Sequence, residues 1–375
     1  MEELIEKVIR PDVRAMSAYA VQDAKGFIKL DAMENPYSLP DWLKRAMAER
    51  LSQVALNRYP IPLYTNLKEK ICKTMGIPEG YEVLLGNGSD ELIAIVTMAC
   101  AAKEKRAKML VPVPSFVMYS VDAQLAGMDF IGVDLKSDLT LDVDAMLAAI
   151  EEHNPTLVFL AMPHNPTGRL FEVSGVLRIL DAMKGRGIVV SDEAYQPFTD
   201  FTMLPYLADY PNLVVMRTVS KLGLAGIRLG YMTAAKELLT EFDKVRPPYN
   251  VNVLTEAVAE LAMDNIAVFN EQAKAIRKER ARLAGELAAM PDVEVFPSQA
   301  NIQLIRVKNA DAVFDGLVAR RILIKNVSRQ HPLLENCLRI TVSTPEENDL
   351  FLAAFNQYSP CDKSIKDCIS IFDTN

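Results

Sequence analysis

Through the middle of the chain, short unbroken apolar runs alternate with stretches in which apolar residues recur every three or four positions. The runs are "KMLVPV" (Lys108 to Val113), "TLVFLAMP" (Thr156 to Pro163), "GIVVSDE" (Gly187 to Glu193) and "NLVVMRT" (Asn212 to Thr218). They are rich in Val, Leu and Ile, and most end in polar residues. Such runs predict strands buried on both faces, as in a parallel sheet. Residues 116–126, 142–151 and 173–184 have helical spacing and predict the crossovers between them. This β–α–β repetition predicts an α/β sheet with helices on both faces. Ligands gather at the carboxyl ends of such strands. Pro163-His164-Asn165, Ser191-Asp192-Glu193, and Thr218 with Ser220-Lys221 are therefore predicted to converge.

The prolines of "VRPPYNVN" interrupt the pattern, and one long helix is predicted from about Leu254 to Met290. Beyond it, strands are predicted at 292–296, 301–307, 322–326 and 336–342, with helices at 310–320 and from Pro345 onward. This α+β set suits a second, smaller domain. The expected division is an N-terminal arm (1–30), a small domain (31–50 and 271–358), a large domain (51–270) and a patternless, disordered tail (359–375).

Composition narrows the function classes. The 375 residues are 50% hydrophobic and 24% charged, a soluble globular balance. A formal net charge of -8 disfavours nucleic acid or an anionic membrane as the main partner. Five widely spaced cysteines without a C-x-x-C pair suggest a reduced, cytoplasmic protein with no metal centre. The N-terminus lacks the apolar core of a signal peptide, and no apolar run is long enough to span a bilayer. Three histidines leave little room for chemistry built on a histidine cluster.

Chemistry concentrates in four motifs at predicted strand ends or turns. "GNGSDE" is Gly86 to Glu91, "HNPTG" is His164 to Gly168, "SDEAY" is Ser191 to Tyr195, and "VSKLGLAGIRLG" carries Ser220, Lys221 and Arg228. An ammonium set among Leu222, Gly223, Leu224 and Ala225 loses hydration and tends to lose its proton. A lone lysine there would ordinarily snorkel to water. The order and spacing of the four motifs instead resemble the fold-type I pyridoxal-phosphate enzymes of the aminotransferase superfamily, over nearly all of residues 10–358. "LDAMENPY", "NRYP", "PSFVMYS" and "NCLRITV" sharpen the likeness toward the histidinol-phosphate aminotransferases.

The resemblance implies a large pyridoxal-phosphate domain with a mostly parallel mixed sheet, a smaller α+β domain and an N-terminal arm. It also implies transamination of L-histidinol phosphate with 2-oxoglutarate, giving imidazole-acetol phosphate and glutamate, in a ping-pong cycle within histidine biosynthesis. Lys221 resembles the Schiff-base lysine, with neutrality favoured by apolar neighbours and by Arg228. Asp192 resembles the partner of the pyridine nitrogen, and Asn165 and Tyr195 the donors to the ring hydroxylate. A bend that aims Asn165 at the ring suits a cis bond to Pro166. Phe116 resembles the aromatic that stacks on the ring. Gly88, Ser89 and Asp90 resemble the helix start that takes the phosphate on backbone N–H groups, with the Asp90 carboxylate free to cap the helix. Ser220 and Arg228 would complete that cradle. Tyr59 resembles a tyrosine that reaches the partner subunit's cofactor, which implies a homodimer with shared sites.

For substrate, Arg339 lies on the opposite strand face from Leu338 and Ile340, so it can enter the cleft. It resembles the arginine that binds the substrate's carboxylate or phosphate. Tyr19 and Asn35 resemble further substrate contacts. Lys325 stands where the family often has a second arginine, and Arg329 is the alternative cation. An aromatic-amino-acid aminotransferase or a phosphothreonine-type decarboxylase shares this scaffold, and a non-catalytic binding protein could use it too.

Overall fold

The structure, a computed structural model, describes residues 1–18, 22–61, 63–101 and 107–357. The strands are β1 (Ile28–Lys29), β2 (Leu84–Gly86), β3 (Lys108–Val113), β4 (Asp129–Asp134), β5 (Leu157–Ala161), β6 (Ile188–Asp192), β7 (Leu213–Thr218), β8 (Gly230–Thr233), β9 (Glu294–Val295), β10 (Ile302–Arg306), β11 (Ile322–Leu323), β12 (Lys325–Asn326) and β13 (Cys337–Thr341). Seven form one sheet in the order β2-β8-β7-β6-β5-β3-β4. Within it β3, β4, β5, β6 and β7 run parallel, and β8 runs antiparallel to both its neighbours.

Alternation along the strands feeds two cores. Leu110, Val158, Leu160, Val189 and Val215 pack under the helices Val143–His153 and Val173–Met183. Met109, Val111, Phe159, Val190 and Val214 pack under Gly88–Cys100, Val117–Leu125 and Lys236–Asp243. The four apolar runs are thus the interior of a doubly covered sheet, as their composition predicts.

The predicted long helix is two, Val253–Asp264 and Ile266–Ala288, broken where Asn265 leaves helical angles (φ -120°, ψ 29°). The second sheet, β12-β13-β10-β9, is antiparallel and has its own core around Ile302, Ile305, Leu338 and Ile340, while Leu304 on its other face packs into the core of the large sheet. The helix Asp41–Ser52, expected with the smaller unit, instead sets Leu43 and Met47 against Leu67, Ile71, Leu85 and Tyr231 at the edge of the large sheet. The Asn165–Pro166 bond is cis, as are Val113–Pro114 and Met162–Pro163. The tail, 359–375, lies outside the described residues.

Candidate active site

The carboxyl ends of β5, β6 and β7 open on a cleft of about 270 Å³, closed from the other side by Arg339 of β13 and by residues 31–33. The three predicted loop groups converge there.

Lys221 sits in a π-helical turn, Ser220–Leu224, directly after β7. Its Nζ donates to the Ala32 carbonyl at 3.0 Å and lies 5.9 Å from the centre of the Tyr195 ring. Burial, and then the Arg339 cation, bring its pKa down to about 8. Arg228, expected to be the main neighbouring cation, is a smaller influence, and Glu34 and Asp90 pull the other way.

Asp192 ends the central strand β6 and is buried. One oxygen accepts from the Tyr119 hydroxyl at 2.6 Å and the other from the Ala194 N–H at 3.1 Å. Burial raises this carboxyl to about 6 despite those donors. Tyr119 was not legible as a site residue, although it stands only three positions after Phe116, in the first turn of the helix that follows it. It stacks on Phe159 and meets Phe116 edge-on, with centroids 4.7 and 5.7 Å away. Phe116 lies just before the helix Val117–Leu125 and lines the cleft.

Across the cleft, Asn165 Nδ2 donates to the Tyr195 hydroxyl at 3.1 Å, and Arg339 Nη1 donates to Asn165 Oδ1 at 2.8 Å. Arg339 Nη2 donates to the Asp31 carbonyl at 2.7 Å. One chain of hydrogen bonds therefore ties the expected ring contacts to the expected substrate arginine. Burial pushes the Tyr195 phenol up, so it is a neutral hydroxyl.

The far end of the cleft is a cradle for an anion. The helix Gly88–Cys100 begins inside the "GNGSDE" motif and has no side-chain cap. Its first N–H groups are left for a ligand. Backbones meet closely here: a Cβ on Gly230 would lie 2.7 Å from Ser89 N, and one on Gly88, at φ +82°, would lie 2.7 Å from Arg228 Nη2. Arg228 also approaches Ser220 Oγ at 3.5 Å. The Asp90 carboxylate does not cap the helix as expected, because it pairs with Arg228 at 2.8 Å.

Other expectations divide. Lys325 lines the cleft, next to Arg339 across the β12–β13 ladder. Arg329 does not; it is exposed and paired with Asp311 at 3.0 Å. Asn35 is no part of the cleft wall. It donates to the Leu222 carbonyl at 2.9 Å and to Gln272 at 3.0 Å, and so steadies the Lys221 turn from behind. Tyr59 is exposed and stacks on Tyr249 with centroids 4.6 Å apart, away from this chain's own cleft. Tyr19 lies outside the described residues. Sequence reasoning also missed Lys29, which lines the cleft mouth.

Comparison with known proteins identifies the family. The chain matches the family described as aminotransferase class I and II over residues 25–355. It is 57% identical over 355 residues to histidinol-phosphate aminotransferase 1 of Burkholderia lata, covering 95% of this chain and 99% of that one. It is also 57% identical to histidinol-phosphate aminotransferase 2 of Cupriavidus pinatubonensis, covering 94% and 96%. Its fold is similar to that of the histidinol-phosphate aminotransferase from Sinorhizobium meliloti solved with pyridoxal 5'-phosphate, with a TM-score of 0.81, 23% identity, and 93% and 97% of the two chains covered.

Proposed function

The chain belongs to the class I and II aminotransferases, and from that premise we propose that it transaminates L-histidinol phosphate with 2-oxoglutarate, forming imidazole-acetol phosphate and glutamate, a step of histidine biosynthesis. The observation that carries this reading is a single cleft joining Lys221, Asp192, the uncapped helix start and Arg339. The cofactor is pyridoxal 5'-phosphate, and the donor set fits it. The cradle of Gly88, Ser89, Ser220 and Arg228 suits its phosphate. Asp192, a buried carboxylate held by the Tyr119 hydroxyl and the Ala194 N–H, suits a protonated ring nitrogen. Asn165 and Tyr195 suit its ring oxygen, and Phe116 suits its face. When bound, this cofactor supplies an aldehyde for the amino group and a ring that accepts electrons from the substrate's Cα.

The chain's own groups do the rest. Lys221 Nζ, its proton loosened by burial, anchors the cofactor and then moves the proton at Cα as base and acid. Asp192 keeps a proton at the ring nitrogen, with its charge steadied by Tyr119 and the Ala194 N–H. Arg339 holds the substrate's anion with a planar two-nitrogen fork, and Lys325 adds charge beside it.

We assign the enzyme to the cytoplasm and to a homodimer in which Tyr59 serves the other protomer's cofactor. Exposed Leu56, Tyr59, Ile61 and Leu63, grouped in one loop, support the dimer. We keep 51–270 as the large domain, with the helix Asp41–Ser52 added to it, and 271–358 as the body of the small one.

Lys221→Ala tests the assignment. It is expected to melt cooperatively yet to transaminate at least about a thousandfold more slowly. Near-normal turnover without added amine would overturn the role of Lys221.

A further inference from the structure

The cleft mouth carries a cation that the proposed chemistry has not used. Strand β1 pairs in parallel with β11, Lys29 opposite Leu323, and Ile28 and Leu30 turn into the core of the smaller unit. Alternation therefore turns Lys29 outward, onto the wall that also holds Asp31, Lys325 and Arg339. Leu323, the partner of Lys29, lies two residues before Lys325, which stands on β12 of the four-stranded sheet opposite Arg339. The Lys29 ammonium is held by Glu34 at 2.6 Å, and their side chains are 36% and 45% exposed. Glu34 is not part of the cleft wall.

We propose that Lys29 is a specificity-determining residue that reads the phosphate end of the amino-donor substrate, an inference that rests on the function proposed above. The two substrates differ in charge at the end Arg339 must hold. A carboxylate carries one negative charge and is satisfied by one guanidinium. A phosphate monoester approaches two at neutral pH and offers three acceptor oxygens. It calls for added positive charge, and Lys29 stands on the same wall on a flexible stem. An exposed ion pair such as Lys29–Glu34 is weak, so the ammonium exchanges partner at little cost. Glu34 keeps Lys29 compensated when the cleft holds a monoanion, so the added cation acts selectively on the phosphate. A chain with net charge -8 gains from confining such cations to the cleft, where they draw in a small anion without making the surface basic.

The test is a cycle crossing enzyme variant with substrate phosphate. The holoenzyme, Lys29→Met and Lys29→Arg are each assayed with L-histidinol phosphate and with L-histidinol. Lys29→Met is expected to lose about tenfold or more in kcat/KM on the phosphorylated donor and less than about twofold on the other, while Lys29→Arg keeps most of the preference. Equal losses on both donors, or none on either, would overturn the proposal. A wild-type enzyme indifferent to the phosphate would overturn the substrate reading and this inference with it, and that outcome is visible before any variant is assayed.

Discussion

The amine of Lys221 gives up its proton near pH 8 rather than at 10.5, chiefly through burial and secondarily through the Arg339 cation. Between those values the folded protein holds a neutral amine where a free lysine is still an ammonium. Covalent uptake of cofactor by the apoprotein is therefore expected to speed up as pH rises through about 8 and to level off above it. Stopped-flow absorbance across pH checks this, and a midpoint near 10.5 would show that the cleft does not tune the lysine. Asp192 makes a second case. Burial works against its charge, and the Tyr119 hydroxyl works for it. Tyr119→Phe keeps the ring packing and removes one hydrogen bond to a charged group, worth about 1.5–3 kcal/mol. Single-turnover kinetics are expected to show removal of the Cα proton slowed by roughly ten- to a hundredfold, with KM for glutamate little changed. An unaltered rate would make Tyr119 a packing residue only.

At the scale of elements, the cradle depends on two strands meeting without side chains. Gly230 of β8 faces Gly86 of β2, and its missing Cβ leaves space for the backbone of Gly88 and Ser89. Gly230→Ala pushes that backbone aside, an overpacking of about 1–3 kcal/mol. Cofactor affinity, measured by fluorescence titration, is expected to fall about tenfold or more. An unchanged affinity would mean that the helix start does not hold the phosphate. The cradle also shows what sequence could and could not say. β3, β5, β6 and β7 were legible because strands covered on both faces read as unbroken apolar runs. β4, "DFIGVD", is an edge strand with one face partly open, and β2 and β8 are only three and four residues long, so none carries that signal. Helix ends were less clear. An asparagine at 265 splits a pattern whose periodicity barely changes across the break. Residues fixed by one element's position were legible, including Lys221, Asp192, Asn165 and Arg339. Those fixed by packing between distant elements were not. Asn35 turns to Leu222 rather than the cleft, Arg329 is taken by Asp311, and Lys29 reaches the mouth through a two-residue strand.

Over the whole molecule, the two sheets line different halves of one cleft. The large sheet brings Asp192, Asn165, Lys221 and the anion cradle, the groups suited to the cofactor. The small sheet brings Arg339 and Lys325, the groups suited to the substrate's anion. Asn165 joins the halves, bonded to Tyr195 on one side and to Arg339 on the other. An aromatic aminotransferase could share the first half unchanged, so the central claim rests on what the second half selects. The direct measurement is a set of single-turnover half-reactions of the holoenzyme with L-histidinol phosphate, phenylalanine and tyrosine, followed by cofactor absorbance. The account predicts kcat/KM for histidinol phosphate at least about a hundredfold above either aromatic amino acid. An equal or faster reaction with phenylalanine or tyrosine would contradict it.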